Sequence, residues 1–148
     1  MIKLNIGSGD KQVEGFEGVD KMDYGQKYVF NIESYSDWYL NFPDDSCVDE
    51  IYTSHFLEHV RDINLVMFEI WRVLKPNATV TIIVPYYRCE SAFRDPSHVR
   101  FFTEHTFRYF NKEHAKRMNY DMGYDYSFEL VDYDLPGREL KCVLKAKK

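Results

Sequence analysis

One helical stripe between two short apolar runs constrains this chain of 148 residues most. Over residues 62–74, Ile63, Val66, Met67, Ile70, Val73 and Leu74 recur at i, i+3, i+4, i+7, i+10 and i+11, which places them on one face of an α-helix. Asp62 is a natural N-cap, and Pro76-Asn77 mark the end. Residues 48–54 before the stripe and 78–84 after it read as strands. The second alternates little and is β-branched, the pattern of a strand covered on both faces. Strand, helix and strand in this order imply a right-handed parallel crossover.

The remaining segments extend the same α/β reading. Residues 1–6 form an apolar strand ended by Gly7-Ser8-Gly9, and residues 16–20 and 27–32 form two more. Residues 86–102 are irregular and rich in Arg and aromatics. Residues 103–118 read as helical, with a break near Asn111. Tyr124, Tyr126, Phe128 and Leu130 alternate, as do Leu140, Cys142, Leu144 and Ala146, with Pro136-Gly137 between them. That is an antiparallel hairpin, and it makes the sheet mixed. No linker or repeat interrupts the chain, so residues 1–148 are expected to form one domain.

Asp20 follows Gly9 by only 11 positions. A strand–helix–strand connection needs roughly 10–12 residues for the crossover alone, so no full helix fits there. The next connection, residues 22–26, is shorter still. One face of the sheet therefore lacks its N-terminal helices, while helices starting near Asp62 and Thr103 cover the other. A bare apolar sheet face is not left in water. Residues 34–40, the aromatic segments, or another subunit (a homodimer or a protein partner) are expected to cover it.

Net charge is −5, which argues against a sequence-independent grip on nucleic acid. Cys47, Cys89 and Cys142 are scattered and odd in number, with no CxxC pair, so a reducing compartment fits. No apolar stretch approaches the ~20 residues that span a bilayer, and the N-terminus carries no signal-peptide pattern. A cytoplasmic protein with a small-molecule partner, no nucleic acid and no membrane is the expectation.

Leu4-Asn5-Ile6-Gly7-Ser8-Gly9 followed by Gly18-Val19-Asp20 carries the first chemistry. A strand ending in Gly-x-Gly lets a ligand approach the backbone, and an acid ending the next strand accepts hydrogen bonds from ribose hydroxyls. On its own this equals a Gly-rich turn beside a surface Asp. Phe42-Pro43-Asp44-Asp45-Ser46-Cys47-Val48-Asp49-Glu50-Ile51-Tyr52-Thr53-Ser54-His55-Phe56-Leu57-Glu58-His59, then Arg72-Val73-Leu74-Lys75-Pro76, extend the pattern. Over residues 1 to about 110 the chain resembles the class I S-adenosylmethionine-dependent methyltransferases.

That resemblance implies a Rossmann-like fold with S-adenosylmethionine as cofactor. It implies Asn5, Ile6, Gly7, Ser8 and Gly9 as the loop over the methionine part and Asp20 on the ribose, with Lys21 and Met22 beside the adenine. Asn31 and Ile32 would lie at the adenine edge, and Ser54 and His55 at the floor. Three positions depart from the family pattern: Asn5 replaces its acid, Lys11 its third Gly, and Asn31 a second acid. A neutral amide still accepts a hydrogen bond, without the charge-assisted strength.

His55-x-x-Glu58-His59 also matches the HxxEH pattern of inverted zinc peptidases. That chemistry needs both His on one helix face and a further ligand downstream. Here the motif follows a strand directly, so no metal is expected: Leu57 and Val60 pack inward, while Glu58 and His59 bond locally. Arg94-Asp95-Pro96-Ser97-His98-Val99-Arg100 resembles the substrate side of the same methyltransferases. It points to His98 or His55 as the base and to Tyr86, Arg94, His98 and Arg100 around the acceptor. The same Arg residues in a plain loop would pair with Glu90, Asp95 and Glu104.

The expected function is methyl transfer to oxygen or nitrogen of a small anionic acceptor. The alternatives are a non-catalytic binding or regulatory module of degenerate fold, and an enzyme that cleaves the cofactor.

Overall fold

A computed structural model describes residues 1–148. The elements are β1 (Lys3–Ile6), β2 (Glu17–Asp20), β3 (Tyr28–Val29), α1 (Tyr35–Asn41), β4 (Val48–Ser54), α2 (Ile63–Val73), β5 (Leu74–Pro85), α3 (Lys112–Arg117), β6 (Phe128–Asp134) and β7 (Glu139–Ala146). They form one seven-stranded sheet in the order β3-β2-β1-β4-β5-β7-β6. β7 runs antiparallel to both its neighbours and closes the expected C-terminal hairpin. The other pairings are parallel.

Local chemistry sets most boundaries where the sequence puts them. The Asp62 side chain accepts the Leu65 N–H and caps α2, which buries Ile63, Val66, Met67, Ile70 and Val73. Pro76 and Asn77 do not end that helix, however. It stops at Val73, and β5 begins at Leu74 and runs through both residues, with Asn77 at φ 65°. Residues 106–110 form a 3-10 helix, and Asn111 then caps α3. The break expected near Asn111 is therefore a second N-cap.

No helix separates β1 from β2 or β2 from β3. The uncovered face is not apolar, though. Pairing aligns Lys3 with Glu50 and Glu50 with Thr79, and Thr79 with Lys145. The next such row is Asn5, Tyr52, Thr81 and Val143. Lys3–Glu50 and Lys145–Glu129 ion pairs cross this face, and Phe16 packs on Tyr52. Val80, Ile82 and Val84 of β5 point into the core, while Thr79, Thr81 and Ile83 stay half-exposed. So β5 is covered on one face, not two. The polar row removes the physical need for a covering subunit. α1 does not cover that face either: it lies beside α2, with Trp38 buried and its indole N–H on the Ile32 carbonyl at 2.7 Å.

One charged cluster sits in the core side. Arg72 reaches from α2 to Glu69 at 2.8 Å, Asp45 at 2.9 Å and the Phe42 carbonyl at 2.9 Å. Glu69 is fully buried, and its Oε1 has no hydrogen bond. Burial pushes the Glu69 pKa above its ordinary value, against the pull of Arg72.

Candidate functional site

The parallel strands end together, and the site lies at their carboxyl ends, as in open α/β sheets generally. After Ile6 the chain turns at Gly7, φ 68°, so that the Gly7 and Ser8 N–H groups both donate to the Val19 carbonyl. This folds the glycine loop over the tip of β2. Gly18 is required below it, because a Cβ there would lie 2.7 Å from Gln26 Cβ and 2.9 Å from Ser8 Oγ. Asp20 closes the arrangement: its carboxylate accepts the Gly9 N–H at 2.9 Å and the Met22 N–H at 3.0 Å.

A cleft of about 680 Å³ opens above this loop. Of the expected cofactor residues, Gly7, Gly9, Asp20, Lys21, Asn31, Ile32 and His55 line it. Asn5, Ile6, Ser8, Met22 and Ser54 do not. Asn5 is buried, and its amide donates to the Lys11 carbonyl at 3.2 Å, so it ties the loop down from beneath. Ile6 and Ser8 are buried under the loop, and Met22 is exposed beside it. Ser54 is the last residue of β4, on the half-exposed row of Glu50 and Tyr52.

The acceptor-side expectations fare differently. Tyr86 is buried with its hydroxyl on Glu104 at 2.9 Å, and lines no part of the cleft. Arg94 is exposed and away from it. Arg100 is spent on the backbone: Nε donates to the Val60 carbonyl at 2.7 Å and Nη2 to the Arg61 carbonyl. It lines instead a separate apolar pocket of about 400 Å³ between Ile63, Phe102, Tyr109, Phe110 and Tyr120. His98 is 8% exposed at its side chain and donates to or accepts from no cleft group; its Nδ1 meets the Ala92 carbonyl at 2.9 Å. A buried ring tied to the backbone does not stand at the mouth, where the sequence puts it.

His55 does stand there, with φ 54°. Its Nε2 lies 2.7 Å from Glu139, and its Nδ1 is 3.4 Å from Glu58. Glu58 chiefly, and then Glu139, raise the His55 pKa above 6.5 against partial burial. A raised pKa makes the free imidazole scarcer at a given pH, which works against a role as base.

Several cleft residues escape the sequence reading. Phe56 packs on Gly7 so closely that a Cβ there would lie 2.3 Å from its Cγ. Glu33, two positions past Asn31, lines the cleft and accepts the Arg61 and Asp62 N–H groups at 2.6 and 3.1 Å. Its acid stands beside the position where the family acid is missing, which is the signal that would have found it. His59, Arg61, Pro96, Ser97 and Val99 complete the lining. Arg61 and His59 come next to a turn whose course the sequence alone does not show.

Residues 16–82 match the methyltransferase domain family model. No curated protein matches the sequence. Among solved structures, the chain is similar to one from a Haloferax volcanii complex of the Trm112 methyltransferase activator with a protein described as a methyltransferase: 14% identity, TM-score 0.68, 99% of this chain and 82% of that one. It is similar to a 16S rRNA adenine N1-methyltransferase from Catenulisporales acidiphilia solved with S-adenosylmethionine: 13% identity, TM-score 0.61, 99% and 85% covered. A Burkholderia thailandensis 1,6-didemethyltoxoflavin N1-methyltransferase gives 16% identity and TM-score 0.62, with 99% and 71% covered.

These likenesses bear out the Rossmann-like class I fold, and the ribosomal RNA enzyme of that fold holds S-adenosylmethionine. They overturn the expectation that excluded nucleic acid as a partner. The same fold serves a ribosomal RNA methyltransferase and sits in a complex with a protein activator. A net charge of −5 describes the whole chain and does not decide what one cleft receives. No helix is long and apolar enough to cross a membrane.

Proposed function

We propose that this member of the class I methyltransferase superfamily binds S-adenosylmethionine in the cleft over β1, β2 and β4 and directs its methyl group to an oxygen or nitrogen of an acceptor. The observation that carries this reading is the closed loop: Gly7, Gly9 and Asp20 held together by backbone-to-carboxylate bonds at the strand ends. The loop fits the group. A Cβ on Gly9 would meet nothing within 4 Å, so its backbone faces open space. Each Asp20 oxygen accepts one N–H, and a carboxylate has about four lone-pair sites. Acceptor capacity for two ribose hydroxyls remains.

When bound, the cofactor supplies a sulfonium that already activates the methyl carbon. The chain's own part is then alignment and exclusion of water. Phe56 over Gly7 gives the floor an apolar surface. Glu33 and Asn31 edge the end where an adenine would lie. Arg61, exposed in the far wall, presents a cation to an anionic group of the acceptor. His55 stands in this wall between Glu58 and Glu139.

Titration calorimetry with S-adenosylmethionine and S-adenosylhomocysteine tests the reading. Micromolar binding, weakened at least about tenfold in Asp20→Asn, is expected. A folded protein that binds neither ligand overturns it. That result would favour a non-catalytic module, a second reading motivated by the missing helix after the glycine loop.

A further inference from the structure

The Leu57–His59 turn, a 3-10 helix, holds the most unusual side chain in the molecule. The Glu58 side chain is 2% exposed, and neither carboxylate oxygen makes a hydrogen bond. His55 Nδ1 is 3.4 Å away, within ion-pair reach but not in hydrogen-bond geometry. An ionised carboxylate left in that state is strongly disfavoured unless a cation pairs with it.

The backbone of the same residue brings its neighbours in. The Glu58 carbonyl accepts the Val99 and Arg100 N–H groups at 2.9 and 3.2 Å, which lays residues 95–100 across the turn. His98 thereby faces Glu58. Its Nδ1 meets the Ala92 carbonyl, a pure acceptor, so Nδ1 carries the hydrogen and Nε2 is the other ring nitrogen. That Nε2 lies 4.0 Å from Glu58 Oε1 and 3.7 Å from Asp95 Oδ2. A lone pair would thus face two carboxylates, unless a cation sits among them.

His59 is set the same way. Ser97 Oγ donates to Asp95 at 2.6 Å and so accepts from His59 Nδ1 at 3.0 Å. The His59 and His98 rings are 4.8 Å apart, edge to face. One donor atom from each of Glu58, His59 and His98 lies within 4.8 Å of the others. Ring N–H groups tied to a carbonyl and to a carboxylate-bonded hydroxyl are the outer contacts that orient metal-binding imidazoles.

We propose that Glu58, His59 and His98 form a binding site for a divalent first-row transition metal ion. Two imidazoles and one carboxylate suit zinc or ferrous iron, and leave a further coordination position. His59 also belongs to the cleft wall, so the ion would sit beside the site described above. The inference does not rest on methyl transfer. It reverses the sequence expectation in one respect: the HxxEH run does not act as a peptidase helix, since His55 engages Glu139 through Nε2 and stays outside the cluster, yet a downstream histidine joins the other two residues.

The test uses the full chain with Cys47→Ser and Cys89→Ser, so that thiol-bound metal is not counted. Elemental analysis after purification, and competition titration of the chelator-stripped protein with ZnCl2, give content and Kd. The expected result is a single zinc ion per chain, a raised Tm on adding ZnCl2, and at least about tenfold weaker binding in Glu58→Gln and His98→Gln. His105→Gln, an exposed control, should bind as the parent. If the buried variants fail to fold, His59→Gln supplies the same comparison. A parent protein that neither retains nor binds zinc overturns the proposal, and so does undiminished binding in the folded variants. Binding of Mg2+ in preference to zinc also overturns it.

Discussion

Asp20 Oδ2 accepts the Gly9 backbone N–H at 2.9 Å, so the tip of β2 clamps the loop that ends β1. In Asp20→Ala the Gly9 and Met22 amides lose their acceptor. Hydrogen exchange should quicken at both, while amides in β4 stay protected. Unchanged exchange at Gly9 would show that the loop holds without its clamp.

Gly7 has a positive φ and Phe56 above it. Gly7→Ala is expected to lower stability by about 2 kcal/mol or more, combining left-handed strain of roughly 1–2 kcal/mol with displacement of the ring. Gly7→Ala with Phe56→Ala removes the clash and leaves the backbone strain. Urea unfolding of both should show that the second change costs less in the Gly7→Ala background than alone.

Arg72 is the counter-charge of Glu69 inside the core. Arg72→Ala should cost about 3–5 kcal/mol, since it leaves a buried charge unpaired. Glu69→Leu with Arg72→Met should cost far less. A sign follows for pH. The folded pKa of Glu69 is raised, so the folded state binds the extra proton, and stability rises as pH falls below that raised value. Arg72→Ala should therefore regain part of its loss near pH 5, as read by urea midpoints.

His55 gains its proton affinity from Glu58 and Glu139. A histidine with a raised folded pKa adds stability that is fully present below 6.5 and lost as pH rises through the raised value. Glu139→Gln should thus lower stability at pH 6 and leave it nearly unchanged at pH 9. Equal loss at both values would place the effect in packing of β7 and not in charge.

Much of the fold was legible because each element carried its own signal. The α2 stripe, the Asp62 cap and the alternation in β7 are local patterns, and short connections around Asp20 exclude helices by length alone. The ends of α2 were less legible. Leu74 completes the stripe in spacing, but pairing with Val48 draws it into β5. The polar row of Lys3, Glu50, Thr79 and Lys145 was invisible for another reason: it exists only once four strands are in register. The cofactor half of the cleft was readable from Gly7 to Asp20, where close approach dictates residue type. The other half was not. Arg100 and His98 look exposed and free in sequence, yet backbone carbonyls of Val60, Arg61 and Ala92 claim them.

The uncovered, polar sheet face has a thermodynamic consequence. Unfolding of this chain exposes less apolar surface than a sheet sandwiched between two helical layers would, and the hydration of apolar surface dominates the heat-capacity increment. Its stability should therefore change more gently with temperature, with a broader dome between cold and heat denaturation than a fully covered α/β sheet of equal length.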